Sequence, residues 1–108
     1  MIEINQKPVT LRQKRVLYTN LLAKLLLWIN ENDIEVAIGQ DGQKHMAGSL
    51  HFVGLANDLI FYKDGVWLQK TDQYKKAGEY WESLHPLCCW GGRFKDGNHF
   101  SLTHDGKK

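Results

Sequence analysis

The sequence predicts a small α+β domain with an antiparallel sheet and flanking helices. A long stretch near the start has apolar residues at helical spacing, and two short alternating stretches are joined by a tight-turn signal. A second helical pattern precedes the last strand, so the order is helix, strand, hairpin, helix, strand, which suits antiparallel pairing. At 108 residues the chain suits one modest core, and we expect one domain over residues 1–108.

The first half of the chain predicts a helix, a strand and a loop. Residues 11–31 carry leucines and aromatic residues at helical spacing, and Thr10 is a suitable N-cap. Residues 34–38 alternate between apolar and polar side chains and end at Gly39, as a strand does. Residues 39–48 contain three glycines among polar residues and therefore predict a loop.

A hairpin and a last strand are predicted farther along. Residues 55–62 and 66–68 form two strands, and the sequence Lys-Asp-Gly at 63–65 supplies the turn between them. Residues 89–98 are rich in glycine and predict a loop, and residues 99–102 predict the closing strand.

The second helix is predicted over residues 71–84, with Thr71 or Asp72 as its cap and Pro86 ending it. Its inner face is expected to carry Tyr74, Ala77 and Trp81. We expect Trp28, Trp67 and Trp81 to pack in the core.

Composition argues against several function classes. The net charge is only +2, and no block of lysine and arginine is interleaved with aromatic residues, so we expect no nucleic-acid partner. The longest apolar run, residues 21–29, is interrupted by Lys24 and is too short to insert in a membrane. The first ten residues lack the apolar segment of an export signal, which predicts a cytoplasmic protein.

The two cysteines, Cys88 and Cys89, are adjacent, and a disulfide between neighbours is strained. We expect buried free thiols in a reducing compartment. A zinc site at these thiols would need a second cysteine or histidine pair at suitable spacing, which the sequence lacks.

An aspartate in an apolar strand pattern needs a partner. Asp58 is such a residue, and either a hydrogen-bonded core role or a bound cation would satisfy it. His51 precedes it by seven residues, and Gly54 offers a bend that lets the two side chains converge. A zinc site would need a third ligand, and His99 directly follows the turn-prone segment KDGN at residues 95–98, which includes Asp96.

These residues resemble the motifs of a known family. Residues 49–58 read SLHFVGLAND and match S-x-H-x-x-G-x-A-x-D, and residues 96–99 read DGNH and match the downstream acid-x-x-H. The chain is similar to the zinc D-alanyl-D-alanine carboxypeptidase and L-alanyl-D-glutamate endopeptidase family. That family includes the vancomycin-resistance dipeptidases and many phage endolysins, and it shares its fold with the hedgehog signalling domain. The segments GEYWESL, WGGRF and DGNHFSL resemble the short, single-domain phage members.

The resemblance implies a role for each matched residue. His51, Asp58 and His99 would bind one Zn²⁺ and leave a fourth position for water. Asp96 would be the catalytic acid that takes the proton of the attacking water. Ser49 would lie close to the substrate; a turn hydrogen bond is the alternative for that residue.

One departure from the family concerns an arginine that members usually carry just before the S-x-H motif. Residues 39–48 contain none. Gln43, Lys44 or His45 could replace it, or Arg93 could reach in from another loop.

The function that the resemblance implies is a zinc metallopeptidase that hydrolyses an amide of the peptidoglycan stem peptide, as a D-Ala-D-Ala carboxypeptidase or an L-Ala-D-Glu endopeptidase. It further implies a monomeric phage endolysin that accumulates in the host cytoplasm and reaches the wall through a holin. Two alternatives are a non-catalytic binding module of the same fold stabilised by zinc, and an interaction domain without a metal.

Overall fold

The long helix near the start of the chain begins and ends as its sequence pattern predicts. In the computed structural model, which describes residues 8–39 and 49–108, α1 spans Leu11–Glu31. The Gln13 amide donates to the Thr10 hydroxyl over 3.1 Å, and the Thr10 amide donates to the Gln13 side chain over 3.0 Å. This capping box satisfies two amides that the first turn would otherwise leave without a partner.

Five strands form one antiparallel sheet within the described residues. They are β1 (Glu35–Ile38), β2 (Ala56–Lys63), β3 (Val66–Leu68), β4 (Cys88–Trp90) and β5 (His99–Leu102). The order is β1-β2-β5-β4, and β3 pairs with β2. The sheet and the helices share one apolar core, which confirms the predicted α+β class.

The predicted hairpin is confirmed. Strands β2 and β3 are joined by Asp64 and Gly65, which have φ values of 51° and 77°. Positive φ at both central residues is the geometry that lets a two-residue turn match the twist of the strands.

The second helix differs from its prediction at the start. Residues Thr71–Tyr74 form a 3₁₀ turn, and α2 spans Lys75–Leu84. Neither Thr71 nor Asp72 caps α2, so that prediction is wrong: the 3₁₀ turn carries the chain into the helix, and within the described residues no side chain caps α2. The predicted inner face is confirmed, since Tyr74, Ala77 and Trp81 are buried.

The predicted loop over residues 89–98 contains a strand and a helical turn. Strand β4 pairs with β5, and Gly91–Phe94 form a 3₁₀ turn. All three residues of β4 are buried, so no alternating pattern marked it as a strand. The predicted loop over residues 39–48 lies outside the described residues except for Gly39.

The prediction that three tryptophans pack in the core is confirmed for two of them. Trp81 is fully buried, and Trp28 packs against the edge of the core and stacks on Tyr80. The prediction for Trp67 is wrong, because this residue is 53% exposed on β3, which pairs only with β2 among the described strands.

Both cysteines are free and buried, as predicted. Burial, aided by the nearby Glu82, raises the pKa of the Cys88 thiol to about 12. No helix in the described part of the chain is long and apolar enough to cross a membrane.

Candidate metal centre

His51 lies on a single tight turn that precedes β2. The Ser49 hydroxyl accepts a hydrogen bond from the His51 amide over 3.2 Å, and the Ser49 carbonyl accepts one from the Phe52 amide over 3.1 Å. Ser49 therefore acts as the cap of this turn, which is the local role that the sequence left as its alternative.

Gly54 ends the turn and reverses the chain. Its φ of 75° is the left-handed conformation that glycine adopts without steric cost. The Gly54 amide donates to the His51 carbonyl over 3.4 Å, and the Leu55 amide donates to the Leu50 carbonyl over 3.0 Å. This is the Schellman pattern, and both leucines are buried as its apolar contact requires. The structure confirms the predicted bend between His51 and Asp58.

An arginine from α1 braces the same turn. The Arg15 Nε donates to the Val53 carbonyl over 2.7 Å, across 38 residues of sequence. A Cβ on Gly54 would lie 3.2 Å from that nitrogen, so the side chain packs directly on the turn. Sequence reasoning missed Arg15, because no local pattern relates it to His51.

The sheet register brings Asp58 and His99 together. They are directly paired residues on the antiparallel strands β2 and β5. Side chains of directly opposed residues lie on the same face of a sheet, with Cβ atoms about 5 Å apart. The turn before β2 then places His51 against this pair.

Three potential ligand atoms form a small triangle. His51 Nε2 lies 3.2 Å from His99 Nδ1 and 3.5 Å from Asp58 Oδ1, and the latter two atoms are 3.7 Å apart. Ligand atoms about 2.1 Å from one zinc at tetrahedral angles lie about 3.4 Å from one another. The triangle is therefore close to one face of a zinc tetrahedron, and the donor set fits the metal that the family resemblance implies.

The three side chains of the triangle are largely shielded from water. Those of His51, Asp58 and His99 are 14%, 18% and 7% exposed, and the Phe94 ring contacts His99 edge-on at 5.7 Å. Exclusion of water strengthens the attraction between a cation and the carboxylate. His99 Nε2 is buried and accepts or donates no hydrogen bond within the described residues.

A buried tyrosine from α1 supports the strand that carries Asp58. The Tyr18 hydroxyl donates to the Asn57 side chain over 2.7 Å. Burial, with smaller contributions from Cys88 and Asp58, raises the pKa of Tyr18 well above its usual value, so the hydroxyl keeps its proton. The bond ties α1 to the residue next to Asp58.

Asp96 lies on the turn that leads into His99. Its amide donates to the Gly91 carbonyl over 2.8 Å, and its carbonyl accepts the His99 amide over 3.1 Å. The residue is exposed, lines a neighbouring cleft and lies outside the three-residue group. The indole of Trp90 donates to the Gly97 carbonyl over 2.7 Å, and this bond helps to fix the same turn.

Arg93, one of the proposed replacements for the family arginine, is bound elsewhere. Its guanidinium donates twice to Glu82 on α2, over 2.7 and 3.1 Å. Burial favours a higher pKa for Glu82, but the bonds from Arg93 and from the Trp90 amide outweigh it and lower that pKa. The other proposed replacements, Gln43, Lys44 and His45, lie outside the described residues.

A family model described as D-alanyl-D-alanine carboxypeptidase matches residues 42–102, which is more than half of the chain. The matched region includes all three residues of the triangle as well as Asp96. No curated protein and no solved structure matches the chain.

Proposed function

This chain belongs to the D-alanyl-D-alanine carboxypeptidase family of metallopeptidases, and we propose that it is a zinc enzyme that hydrolyses an amide bond in the peptidoglycan stem peptide. The observation that carries the proposal is the triangle of His51 Nε2, Asp58 Oδ1 and His99 Nδ1. Two imidazoles and one carboxylate are the ligands of zinc sites that keep a fourth position for chemistry, whereas structural zinc sites are closed by four protein ligands.

In our proposal the three side chains of the triangle hold the metal. Zinc bound there would supply a Lewis acid that polarises the scissile carbonyl and makes water a better nucleophile at neutral pH. The paired strands fix Asp58 and His99, and the capped turn fixes His51, so little reorganisation accompanies binding. Preorganised ligands of this kind favour tight binding.

We assign proton transfer to the Asp96 carboxylate. It would accept a proton from the attacking water and return it to the leaving amine as the carbon–nitrogen bond breaks. The backbone bond between Asp96 and His99 supports this role, because it fixes the base relative to one ligand. Ser49 would contact the substrate: its hydroxyl accepts from the His51 amide and still has a proton to donate to a substrate carbonyl.

Variants at the three proposed zinc ligands and at the proposed base, Asp96, test these assignments. We expect His51→Ala, Asp58→Ala and His99→Ala each to lose stoichiometric zinc, measured by elemental mass spectrometry. We expect Asp96→Ala to keep zinc and to lose hydrolysis of purified peptidoglycan. His104→Ala is the matched control, since His104 lies outside the group and bonds to Lys14. Full activity in Asp96→Ala would overturn the assigned mechanism.

The bond that is cut and the biological setting form the finer part of the proposal. We propose a phage endolysin, formed by one zinc peptidase domain over residues 1–108 and acting as a monomer on the wall after release from the host cytoplasm through a holin. The resemblance of three segments to short phage members supports it. Mass spectrometry of the released fragments separates the two candidate bonds, D-Ala-D-Ala and L-Ala-D-Glu. Lysis only when a holin is co-expressed would support the setting.

A zinc-stabilised binding module is the second candidate. Residues 39–48 contain no arginine, and Arg93 is bound to Glu82, so the arginine that the family usually uses as an oxyanion donor is missing from residues 39–48 and is not supplied by Arg93. Loss of one such donor typically lowers kcat by about 10²–10³-fold. Stoichiometric zinc without turnover of peptidoglycan would favour the module; turnover that stops on chelation and returns with zinc would favour the enzyme.

A further inference from the structure

A polar cleft of about 230 Å³ lies beside Asp96. One wall comes from β3 and the following 3₁₀ turn, and the other comes from the turn that leads into His99. The residues that give the cleft its chemistry are Trp67, Gln69, Thr71, Lys95, Asp96 and Asn98. Because Asp96 belongs to both the cleft and the proposed catalytic machinery, a substrate bound at the metal would extend into this space.

The two walls are in close contact. A Cβ on Gly97 would lie 2.6 Å from the Thr71 Cα, so only glycine allows the two backbones to approach this closely. The bond from the Trp90 indole to the Gly97 carbonyl holds the same point from the other side. The cleft is therefore a fixed feature of the fold rather than a gap between loose loops.

Lys95 adopts a backbone conformation that lysine rarely has. Its φ is 64° at the end of the 3₁₀ turn Gly91–Phe94, a position where glycine or asparagine is usual. The conformation carries an energetic cost that glycine would avoid. Lys95 lines the cleft together with Asp96. In the described part of the chain, no salt bridge involves its ammonium. Strained residues of this kind are concentrated at ligand sites.

We propose that Lys95 determines specificity by binding a carboxylate of the stem peptide, with the exposed ring of Trp67 on the opposite wall. This inference rests on the proposed function. Both candidate substrates carry a carboxylate next to the bond that is cut: the D-Glu carboxylate in one and the terminal D-Ala carboxylate in the other. Asp96 repels such a group, and the neighbouring ammonium attracts it, so Lys95 fixes where the carboxylate lies.

The test uses two pairs of peptides, one containing L-Ala-D-Glu and one ending in D-Ala-D-Ala, each with the relevant carboxylate free or amidated. For the pair that the wild type cleaves, we expect amidation to raise KM by about 10-fold. In Lys95→Gly we expect KM for the free acid to rise by about the same factor, no discrimination against the amide, and a kcat within about two-fold of the wild type. The pair that responds identifies the source of the carboxylate.

The stability of the variant provides an independent readout. Lys95→Gly should raise Tm, because glycine relieves the positive φ. Asp64→Gly is the matched control, because Asp64 also has a positive φ, 51°, in the hairpin turn. We expect the Tm of the Asp64→Gly protein to rise as well, while its KM stays unchanged. Discrimination between acid and amide that persists in Lys95→Gly would overturn the proposal.

If the wild type cleaves neither pair, the proposed function fails, and calorimetric binding of the same four peptides tests Lys95 separately. Preference for the free acid that disappears in Lys95→Gly would support the carboxylate site. Equal affinity of the wild type for acid and amide would refute it.

Discussion

Gly91 is the position where the smallest change should disturb the metal centre most. A Cβ there would lie 2.1 Å from the Asp96 carbonyl oxygen and 2.6 Å from the His99 Cβ. Gly91 does not have a positive φ, so alanine suits its backbone and the effect of Gly91→Ala is steric. The clash involves backbone and a Cβ, neither of which can swing away as the end of a long side chain can.

The size of the effect follows from these distances. Real Cβ contacts essentially never fall below 3.0 Å, so the Gly91 backbone and the Asp96 carbonyl must move apart by about 0.9 Å. Metal–ligand distances tolerate only about 0.2 Å. A displacement several times larger next to His99 should weaken zinc binding by about 10–100-fold, the usual cost of disturbing the support of a ligand. Overpacking should also lower the free energy of unfolding by about 1–3 kcal/mol.

The assay combines a zinc affinity, from competition with a coloured chelator, with thermal unfolding of the metal-free chain. Gly65→Ala is the control: its φ of 77° makes alanine unfavourable by about 1–2 kcal/mol, but no atom of the described residues lies within 4 Å of the added Cβ. We expect both variants to lose stability and only Gly91→Ala to lose zinc affinity. Wild-type zinc affinity in Gly91→Ala would refute the account of how His99 is held.

Three further predictions concern single side chains. Arg15→Gln removes the bond to the Val53 carbonyl and should weaken zinc binding by about 10-fold in the same competition assay, whereas Arg12→Gln on the exposed face of α1 should leave it unchanged. Burial lowers the pKa of His85, so the contribution of the neutral ring to stability is complete above about pH 6.5 and is lost as the pH falls through the lower pKa of the folded protein. We expect His85→Gln to reduce the fall in the free energy of unfolding at acid pH, measured by urea unfolding at a series of pH values. The Cys88 thiol, with its pKa raised to about 12 by burial, should resist iodoacetamide at pH 8 in the native protein and react on unfolding; rapid native labelling would contradict its burial.

Short sequence patterns predicted the elements that depend on interactions between residues close in sequence. The capping box at Thr10 and the apolar spacing behind it determine α1, and Asp64 with Gly65 determines the hairpin turn. Strand β4 was missed because three buried residues show no period, and the start of α2 was wrong because a 3₁₀ turn leads into the helix. Trp67 was wrongly placed in the core, since an aromatic residue in a strand does not reveal which strand will be at an edge.

The residues of the candidate site were predictable from motif spacing, but their arrangement was not. The separation of His51 and Asp58 required a bend, and Gly54 provides it. The pairing of Asp58 with His99 depends on the register between β2 and β5, which forms across some forty residues of chain. The bracing by Arg15 likewise depends on packing between distant segments, which no spacing rule describes.

The most direct measurement for the central claim is the zinc K-edge X-ray absorption spectrum of the purified, zinc-loaded protein. We predict two imidazole nitrogens and carboxylate or water oxygens at about 2.0–2.2 Å, with no sulfur contribution. We expect Asp58→Ala and His99→Ala to lose this spectrum with the bound metal, as their atoms form two corners of the triangle. A sulfur contribution at about 2.3 Å would assign the metal to Cys88 and Cys89 and would contradict the site proposed at His51, Asp58 and His99.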